Sequence, residues 1–173
     1  MNVRLAVFFM FLLFIVESTI IPWLIPDALY GRLVPQFVFV FVLYAALYTG
    51  RHTALMLGLS FGLLQDIVFY GDLLGVHAFA MGLCGYLTGL LLERRRSPLL
   101  LALSIIGFAG LLYNSVVYLI YKVFRITQEQ YAYVLIDSIM PSLFLQIGFA
   151  LAVYIPARRL FEGSGKPNAG QEE

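Results

Sequence analysis

The sequence has little charge, one cysteine and two histidines, and these shortages exclude several classes of protein. Only 12% of its 173 residues are Asp, Glu, Lys or Arg, which is about half the share found in soluble domains. The formal net charge of +1 provides no basic face that could neutralise the phosphates of a nucleic acid. Because Cys84 is the single cysteine, a disulfide framework and a cysteine-based metal cluster are also excluded.

Motifs that carry catalytic chemistry are equally scarce. The chain contains no H-E-x-x-H, P-loop or G-x-S-x-G pattern. His52 and His77 fall on opposite sides of the membrane in the topology predicted below, so they cannot form one metal site or a Ser–His pair, and we interpret His77 as an interfacial residue. Asp66 and Asp137 could form a carboxylate dyad like that of aspartic proteases, but Asp66 lacks the G-x-G-D pattern of intramembrane aspartyl proteases. We therefore predict a protein that is not an enzyme and that holds no cofactor and no metal.

Long apolar runs dominate what is present. The composition is 61% hydrophobic with a mean hydropathy of +0.89, and polar residues gather in short breaks between runs of about 17–25 residues, the length that spans a bilayer. The sequence predicts an all-α polytopic membrane protein, with one six-helix domain over residues 1–162 and a disordered cytoplasmic tail over residues 163–173. The six predicted transmembrane helices are Arg4–Ile21, Leu33–Tyr48, Thr53–Tyr70, Val76–Leu92, Pro98–Tyr121 and Ala132–Ile155.

Basic residues predict the orientation of these helices. Eight Lys and Arg residues fall on the side of the termini, including the run Arg94–Arg96, and three fall on the opposite side, at Arg32, Lys122 and Arg125. Positive residues accumulate in cytoplasmic loops. We therefore predict that both termini are cytoplasmic.

Three acids, Glu17, Asp66 and Asp137, fall at a similar depth near the outer ends of their predicted helices. An acid in lipid is costly and requires a partner, a cavity or a function. One interpretation is that these acids hydrogen-bond to neighbouring Ser, Gln or Tyr side chains or reach headgroup water. The alternative is that they line one outward-open polar recess or a groove for a partner.

Small residues recur at helical spacing beside the central acid. Gly58 and Gly62 share one face of the third predicted helix with Asp66, and Gly85 and Gly89 follow one another on the fourth. On the fifth helix the same spacing joins three further residues, Gly107, Gly110 and Asn114. Such faces allow close approach of helices in membranes. We expect most of them to pack within the bundle, while one face could instead dock the helix of a partner.

Glycine and proline also punctuate the predicted helices. Gly75 closes the short turn between the third and fourth helices, and Pro35 lies in the first turn of the second, where proline is tolerated. Pro141 lies inside the sixth helix, four residues after Asp137, and should kink it there. Pro156 is predicted to end that helix.

An ordered set of motifs resembles a known family. The segments G-L-L-Q-D at 62–66, L-G-V-H-A at 74–78 and G-Y-L at 85–87 resemble the central signature of the bacterial rod shape-determining protein MreD family. The positions of Pro35 and Pro141 are similar to those in the family. Gln36 departs from the pattern, because the family often has Asp or Asn there.

The resemblance implies a subunit of the cell-elongation machinery in the bacterial cytoplasmic membrane. Its expected partners are the bitopic protein MreC and, directly or indirectly, the actin-like MreB, the glycosyltransferase RodA and a class B penicillin-binding protein. The family is also similar in fold to the substrate-binding S components of energy-coupling-factor vitamin transporters, so an S component is the alternative function. The bulky first helix weighs against docking in the S-component manner. Contacts with membrane lipid and a homo-oligomer are further expectations.

Overall fold

Six helical elements form the part of the chain that the computed structural model describes, which is residues 3–20, 23, 26, 35–69, 73–92 and 99–162. These residues contain no strand. Helix α1 comprises Val3–Ile15 and continues as a π-helical turn, Val16–Ile20; α2 is Phe37–Tyr48, α3 is Arg51–Val68, α4 is Val76–Leu92 and α5 is Leu99–Val123. Helix α6 comprises an opening turn, Tyr131–Val134, a π-helical turn, Leu135–Ile139, and a long segment, Met140–Glu162.

Each of the six predicted helices overlaps one of these elements, and two predicted boundaries are wrong by four residues or more. Helix α2 begins at Phe37 rather than Leu33, so Pro35 precedes it instead of lying in its first turn. The reason is local: Gln36 has φ −131° and ψ 53°, which is not a helical conformation. Leu33 itself lies outside the described residues, as do the basic run Arg94–Arg96 and the tail over 163–173.

The second wrong boundary is the end of α6. Proline was expected to stop this helix after Ile155, but the helix passes through Pro156 and ends at Glu162. A proline removes one main-chain donor and crowds the preceding turn. The residues that follow it keep their own donors, so the helix continues.

Helix α2 forms the centre of the bundle. Every residue from Phe37 to Leu47 is buried, as expected for a helix that is apolar on all sides. Helices α1, α3, α4 and α6 pack against it, and α5 reaches it through Tyr113, which stacks on Phe39 at 4.6 Å between ring centroids. The outer surface is apolar as well, and it exposes Phe108 and Phe144 to 72% each.

Helices α3 and α4 make the closest helix–helix contact, and glycine permits it. A Cβ atom added to Gly62 would lie 2.5 Å from the Cα of Ala78, and one added to Gly58 would lie 2.9 Å from the main chain of Met81. At the other end of the pair, a Cβ added to Gly89 would lie 2.5 Å from the Cα of Arg51. The two backbones therefore touch along the pair, as small residues allow between membrane helices.

Two of the described helices are long and apolar enough to cross a membrane by themselves: Leu99–Val123 and Tyr131–Arg158. Three apolar helices are shorter, over Ala6–Ile20, Phe37–Tyr48 and Val76–Leu92. At 1.5 Å per residue, the 12 residues of α2 span about 18 Å. The two long helices thus agree with a membrane protein, whereas α2 by itself is shorter than the hydrocarbon core of about 30 Å.

We predict that Gly62→Ala lowers the stability of the protein, by about 1–3 kcal/mol, because the new methyl group meets the backbone of α4 rather than a movable side chain. The measurement is thermal unfolding in detergent micelles. Gly148→Ala is the matched control, since Gly148 is exposed and has open space around its Cα, and its melting temperature should equal or slightly exceed that of the wild type. Equal melting temperatures for Gly62→Ala and the wild type would contradict the close contact.

Candidate functional site

Two acids, Glu17 and Asp66, are almost completely buried, at 3% and 2% exposure. Glu17 lies on the π-helical turn that ends α1, and Asp66 lies in the last turn of α3. Each carboxylate accepts hydrogen bonds from main-chain N–H groups at the start of a different helix. These acids are therefore capping groups supplied from elsewhere in the bundle.

Asp66 caps α4. One carboxylate oxygen, Oδ2, accepts hydrogen bonds from the N–H groups of Gly75 at 2.9 Å and Ala78 at 3.2 Å. The other, Oδ1, accepts one from the N–H of His77 at 3.2 Å. The first amides of a helix have no partner within it, and a negative group at this end is favourable because of the helix dipole. Asp66 thus satisfies three donors that would otherwise be buried without a partner.

The turn before α4 explains why the cap comes from another helix. Gly75 accepts the first helical hydrogen bond, from the N–H of Phe79, so it occupies the capping position but has no side chain. Its φ is +98°, a conformation that favours glycine strongly. A Ser, Thr, Asp or Asn at this position would normally supply the capping oxygen, and here Asp66 supplies it from nine residues earlier.

His77 is the fourth partner of Asp66. Its Nδ1 lies 2.7 Å from Oδ1 of Asp66, and its side chain is 29% exposed. The ring of His77 also lies 6.3 Å from that of Tyr113. His77 was interpreted from the sequence as an interfacial residue, and the structure adds a contact that the sequence did not indicate, its hydrogen bond with Asp66. The two residues are brought together because the turn folds the start of α4 back over the end of α3.

Glu17 caps α2 in a similar way. Its Oε2 accepts a hydrogen bond from the N–H of Val38 at 3.0 Å, and its Oε1 accepts one from Nε2 of Gln65 at 2.7 Å. Helix α2 has no capping bond from the side chain of its own N-cap residue, Gln36. The acid on α1 therefore holds the first turn of the central helix.

Gln65 links the two caps, because it bonds to Glu17 and adjoins Asp66 in the chain. We refer to Glu17, Gln65, Asp66 and His77 as the capping cluster. Tyr113 on α5 is 2% exposed and lies within electrostatic reach of both carboxylates. The capping cluster thus joins the ends of α1 and α3 to the starts of α2 and α4.

A second polar contact lies beside this cluster. Nε2 of Gln36 donates a hydrogen bond to Oδ1 of Asn114 at 3.1 Å, and Nδ2 of Asn114 donates one to the carbonyl of Gly110 at 2.8 Å. Gln36, which departs from the family pattern, therefore ties the start of α2 to α5.

The structure brings most of the predicted site residues together, with different roles. Glu17, Asp66 and Gly75 meet through the two caps, whereas the predicted glycines of α3 and α4 serve the contact between those helices. Gly85 belongs to this contact, because a Cβ added to it would lie 3.2 Å from the carbonyl oxygen of Ala54. The remaining predicted site residues are placed as follows: Gly58, Gly62 and Gly89 on the α3–α4 contact, Pro35 immediately before α2, and Asp137 and Pro141 on α6.

Asp137 and Pro141 show where α6 departs from regular helix geometry. Asp137 lies on the π-helical turn Leu135–Ile139 and is half-buried, and Pro141 follows that turn by two residues. A π-helical turn changes the hydrogen-bond register, and here it directly precedes the helical segment that contains Pro141. Glu17 and Asp137 therefore share a setting, because each lies on a π-helical turn.

The hydrogen bonds of the capping cluster determine what it can do chemically. Both oxygens of Glu17 and both oxygens of Asp66 already accept bonds from protein donors. A nucleophile or a general base needs a carboxylate within reach of a substrate proton, and these carboxylates are buried against helix amides. The arrangement is suited to holding helices in place.

Comparison with known proteins identifies a family. A family model described as rod shape-determining protein MreD matches residues 1–163. No curated protein and no solved structure gives a significant match.

We predict that Asp66→Ala destabilises the protein by about 1–3 kcal/mol, because it leaves the amides of Gly75, His77 and Ala78 buried without an acceptor. Asp66→Asn should also destabilise it, by less, because the amide NH₂ of asparagine faces N–H donors in place of one accepting oxygen. Hydrogen–deuterium exchange of residues 75–78 and thermal unfolding in micelles test both changes.

The control for these variants is Glu129→Gln, which removes one negative charge at an exposed position. It should leave the melting temperature and the exchange of residues 75–78 unchanged. If Asp66→Ala exchanged these amides no faster than Glu129→Gln, Asp66 would not be the cap of α4.

Proposed function

The chain belongs to the MreD family of rod shape-determining proteins, and we propose that it acts there as a non-enzymatic integral membrane subunit of the cell-elongation complex. In this role it binds an MreC-like bitopic protein and supports lateral peptidoglycan synthesis. MreB, RodA and a class B penicillin-binding protein are its direct or indirect partners in the complex.

The observation that carries the proposal is the use of both buried acids as caps within the protein. The four oxygens of Glu17 and Asp66 bind helix amides and neighbouring side chains. The two buried carboxylates, which are costly in an apolar environment, therefore hold the helices of the bundle in place. A rigid bundle with an apolar outer surface is suited to contacts between helices. This use of the acids favours a scaffold over a catalyst.

We propose that the bundle crosses the cytoplasmic membrane six times, with both termini in the cytoplasm. Eight basic residues against three support this orientation. The helix ends agree with antiparallel neighbours, because Glu17, Asp66 and His77 meet at one end of the bundle, where α1 and α3 end and α4 begins; the charge bias assigns that end to the outer side. That meeting point is the periplasmic end of the bundle.

Single-cysteine variants test the topology, in a Cys84→Ala background. Gln128→Cys lies in the exposed segment between α5 and α6, and His52→Cys lies at the exposed start of α3. In cells whose outer membrane has been made permeable and whose cytoplasmic membrane is intact, a membrane-impermeant maleimide should label Gln128→Cys only. After lysis it should label both variants. Labelling of His52→Cys in intact cells would contradict the proposed orientation.

The function itself is tested by complementation in a rod-shaped bacterium depleted of its own MreD. The tagged chain should restore rod shape and co-purify with the MreC-like protein, whereas Gly62→Leu should lose both because it separates α3 from α4. Gly148→Ala, inserted to the same membrane level, is the control and should retain both. Full rescue by Gly62→Leu at equal membrane level would show that the α3–α4 contact is not required for assembly.

An S component would behave differently in a binding assay. The purified protein should show no saturable binding of thiamine, riboflavin or biotin in detergent. Saturable sub-micromolar binding of one of these vitamins would overturn the proposed function in favour of the transporter subunit.

A further inference from the structure

The pair α5–α6 extends well beyond the start of the central helix at the end of the bundle that carries the capping cluster. Gln36, the residue before α2, is hydrogen-bonded to Asn114 on α5, so α2 begins at the level of Asn114. Helix α5 continues to Val123, which is about 14 Å farther at 1.5 Å per residue. We refer to residues 122–133, which connect α5 to α6 at this end, as the hairpin tip.

Tyrosine hydroxyls hold the hairpin tip together. The hydroxyl of Tyr118 donates a hydrogen bond to the carbonyl of Glu129 at 2.7 Å, and the hydroxyls of Ser115 and Tyr131 are hydrogen-bonded at 2.7 Å. Nζ of Lys122 donates a bond to the hydroxyl of Tyr118 at 3.1 Å and lies 5.4 Å from the centre of its ring. These contacts join the end of α5 to the start of α6.

The surface of the hairpin tip is both apolar and basic. Lys122 and Arg125 are exposed, and Glu129 is the one acid among residues 122–133. Apolar and aromatic side chains are exposed between and beside these charges, among them Val123 at 71%, Phe124 at 61%, Ile126 at 40% and Tyr133 at 56%. Exposed apolar side chains next to an excess of positive charge match the chemistry of a phospholipid surface, where acyl chains lie beneath negatively charged phosphates.

The length of α6 indicates the depth of the hairpin tip in a membrane. The apolar helical stretch Tyr131–Arg158 has 28 residues, which rise about 42 Å, and a bilayer with its headgroup layers is about 40–45 Å thick. With the exposed Arg158 in the cytoplasmic headgroup layer, Tyr131 lies in the outer headgroup layer rather than in the water beyond it. The start of α2 then lies inside the hydrocarbon core, where no bulk water can satisfy its first amides.

We propose that the hairpin tip is a headgroup anchor that docks on the outer leaflet of the cytoplasmic membrane. Its exposed apolar side chains enter the leaflet at the level of the phospholipid ester groups, and Lys122 and Arg125 lie at the level of the phosphates. Aromatic and basic side chains suit this level because each has an apolar part and a polar end. The inference rests on the proposed membrane orientation and goes beyond the rod-complex function, since it requires no protein partner.

Depth-dependent quenching of tryptophan fluorescence tests the proposal. Trp23 is the single tryptophan of the chain, so Trp23→Phe provides a background without one. In this background, Phe124→Trp and, separately, Tyr133→Trp place a reporter on the hairpin tip. Phe108→Trp is the matched control, because Phe108 is an exposed residue of α5 that lies about 22 Å from Val123 along the helix, close to the bilayer centre.

Each full-length variant is reconstituted into vesicles of phosphatidylcholine and phosphatidylglycerol. The lipids carry a nitroxide quencher on the headgroup, near the start of the acyl chain or near its end. We expect the headgroup and shallow quenchers to reduce the emission of both tip reporters several-fold more strongly than the deep quencher does. For Phe108→Trp the order should be reversed.

The control separates failure of the proposal from failure of the membrane orientation. Tip reporters that no quencher affects, with Phe108→Trp quenched by the deep nitroxide, would overturn the proposal and place the tip in water. Strongest quenching of the tip reporters by the deep nitroxide would overturn it as well. If the deep nitroxide failed to quench Phe108→Trp, the proposed membrane orientation and the anchor would both be wrong. The two tip reporters lie on different helices, so one variant that fails to fold leaves the other to decide.

Discussion

Every helix that starts inside the bundle has main-chain N–H groups that neither the helix nor bulk water can satisfy, and this constraint governs the structure. Asp66 satisfies three such groups at the start of α4, and Glu17 satisfies one at the start of α2. An acid in an apolar environment is expensive, but an acid that accepts several N–H bonds at the positive end of a helix is stabilised. The same contacts therefore stabilise the buried acids and satisfy the unpaired N–H groups at the starts of the helices.

These caps depend on how closely the helices approach one another. Asp66 reaches the amides of α4 because Gly62 allows the backbone of α3 to touch Ala78, the residue that donates one of the bonds. Gly75 turns the chain in a conformation that favours glycine and leaves the capping position empty for Asp66. The two glycines and Asp66 therefore act together to join α3 to the start of α4.

The two sides of the bundle differ in how they pack. Helices α3 and α4 meet through backbone contact, and their polar groups are paired at the end that carries the capping cluster. Helices α5 and α6, the two that are long enough to span a membrane alone, meet through Gly110 and the amide of Gln146. The central helix α2, buried along its whole length, separates these two kinds of interface.

The helices follow from the sequence, because a long apolar run in lipid satisfies its main-chain hydrogen bonds by forming a helix. The sequence also indicated that Glu17, Asp66 and the glycines are special positions. An acid in an apolar run needs a partner, and small residues there allow helices to approach closely. The contacts that these residues make became known from the packing of the helices. Asp66 pairs with His77 and with the amides of Gly75 and Ala78 because of the turn before α4. The periodicity of apolar residues does not reveal the geometry of such a turn. The link from Glu17 to Val38 and Gln65 spans three helices, and hydrogen bonds of that range arise from packing rather than from local pattern.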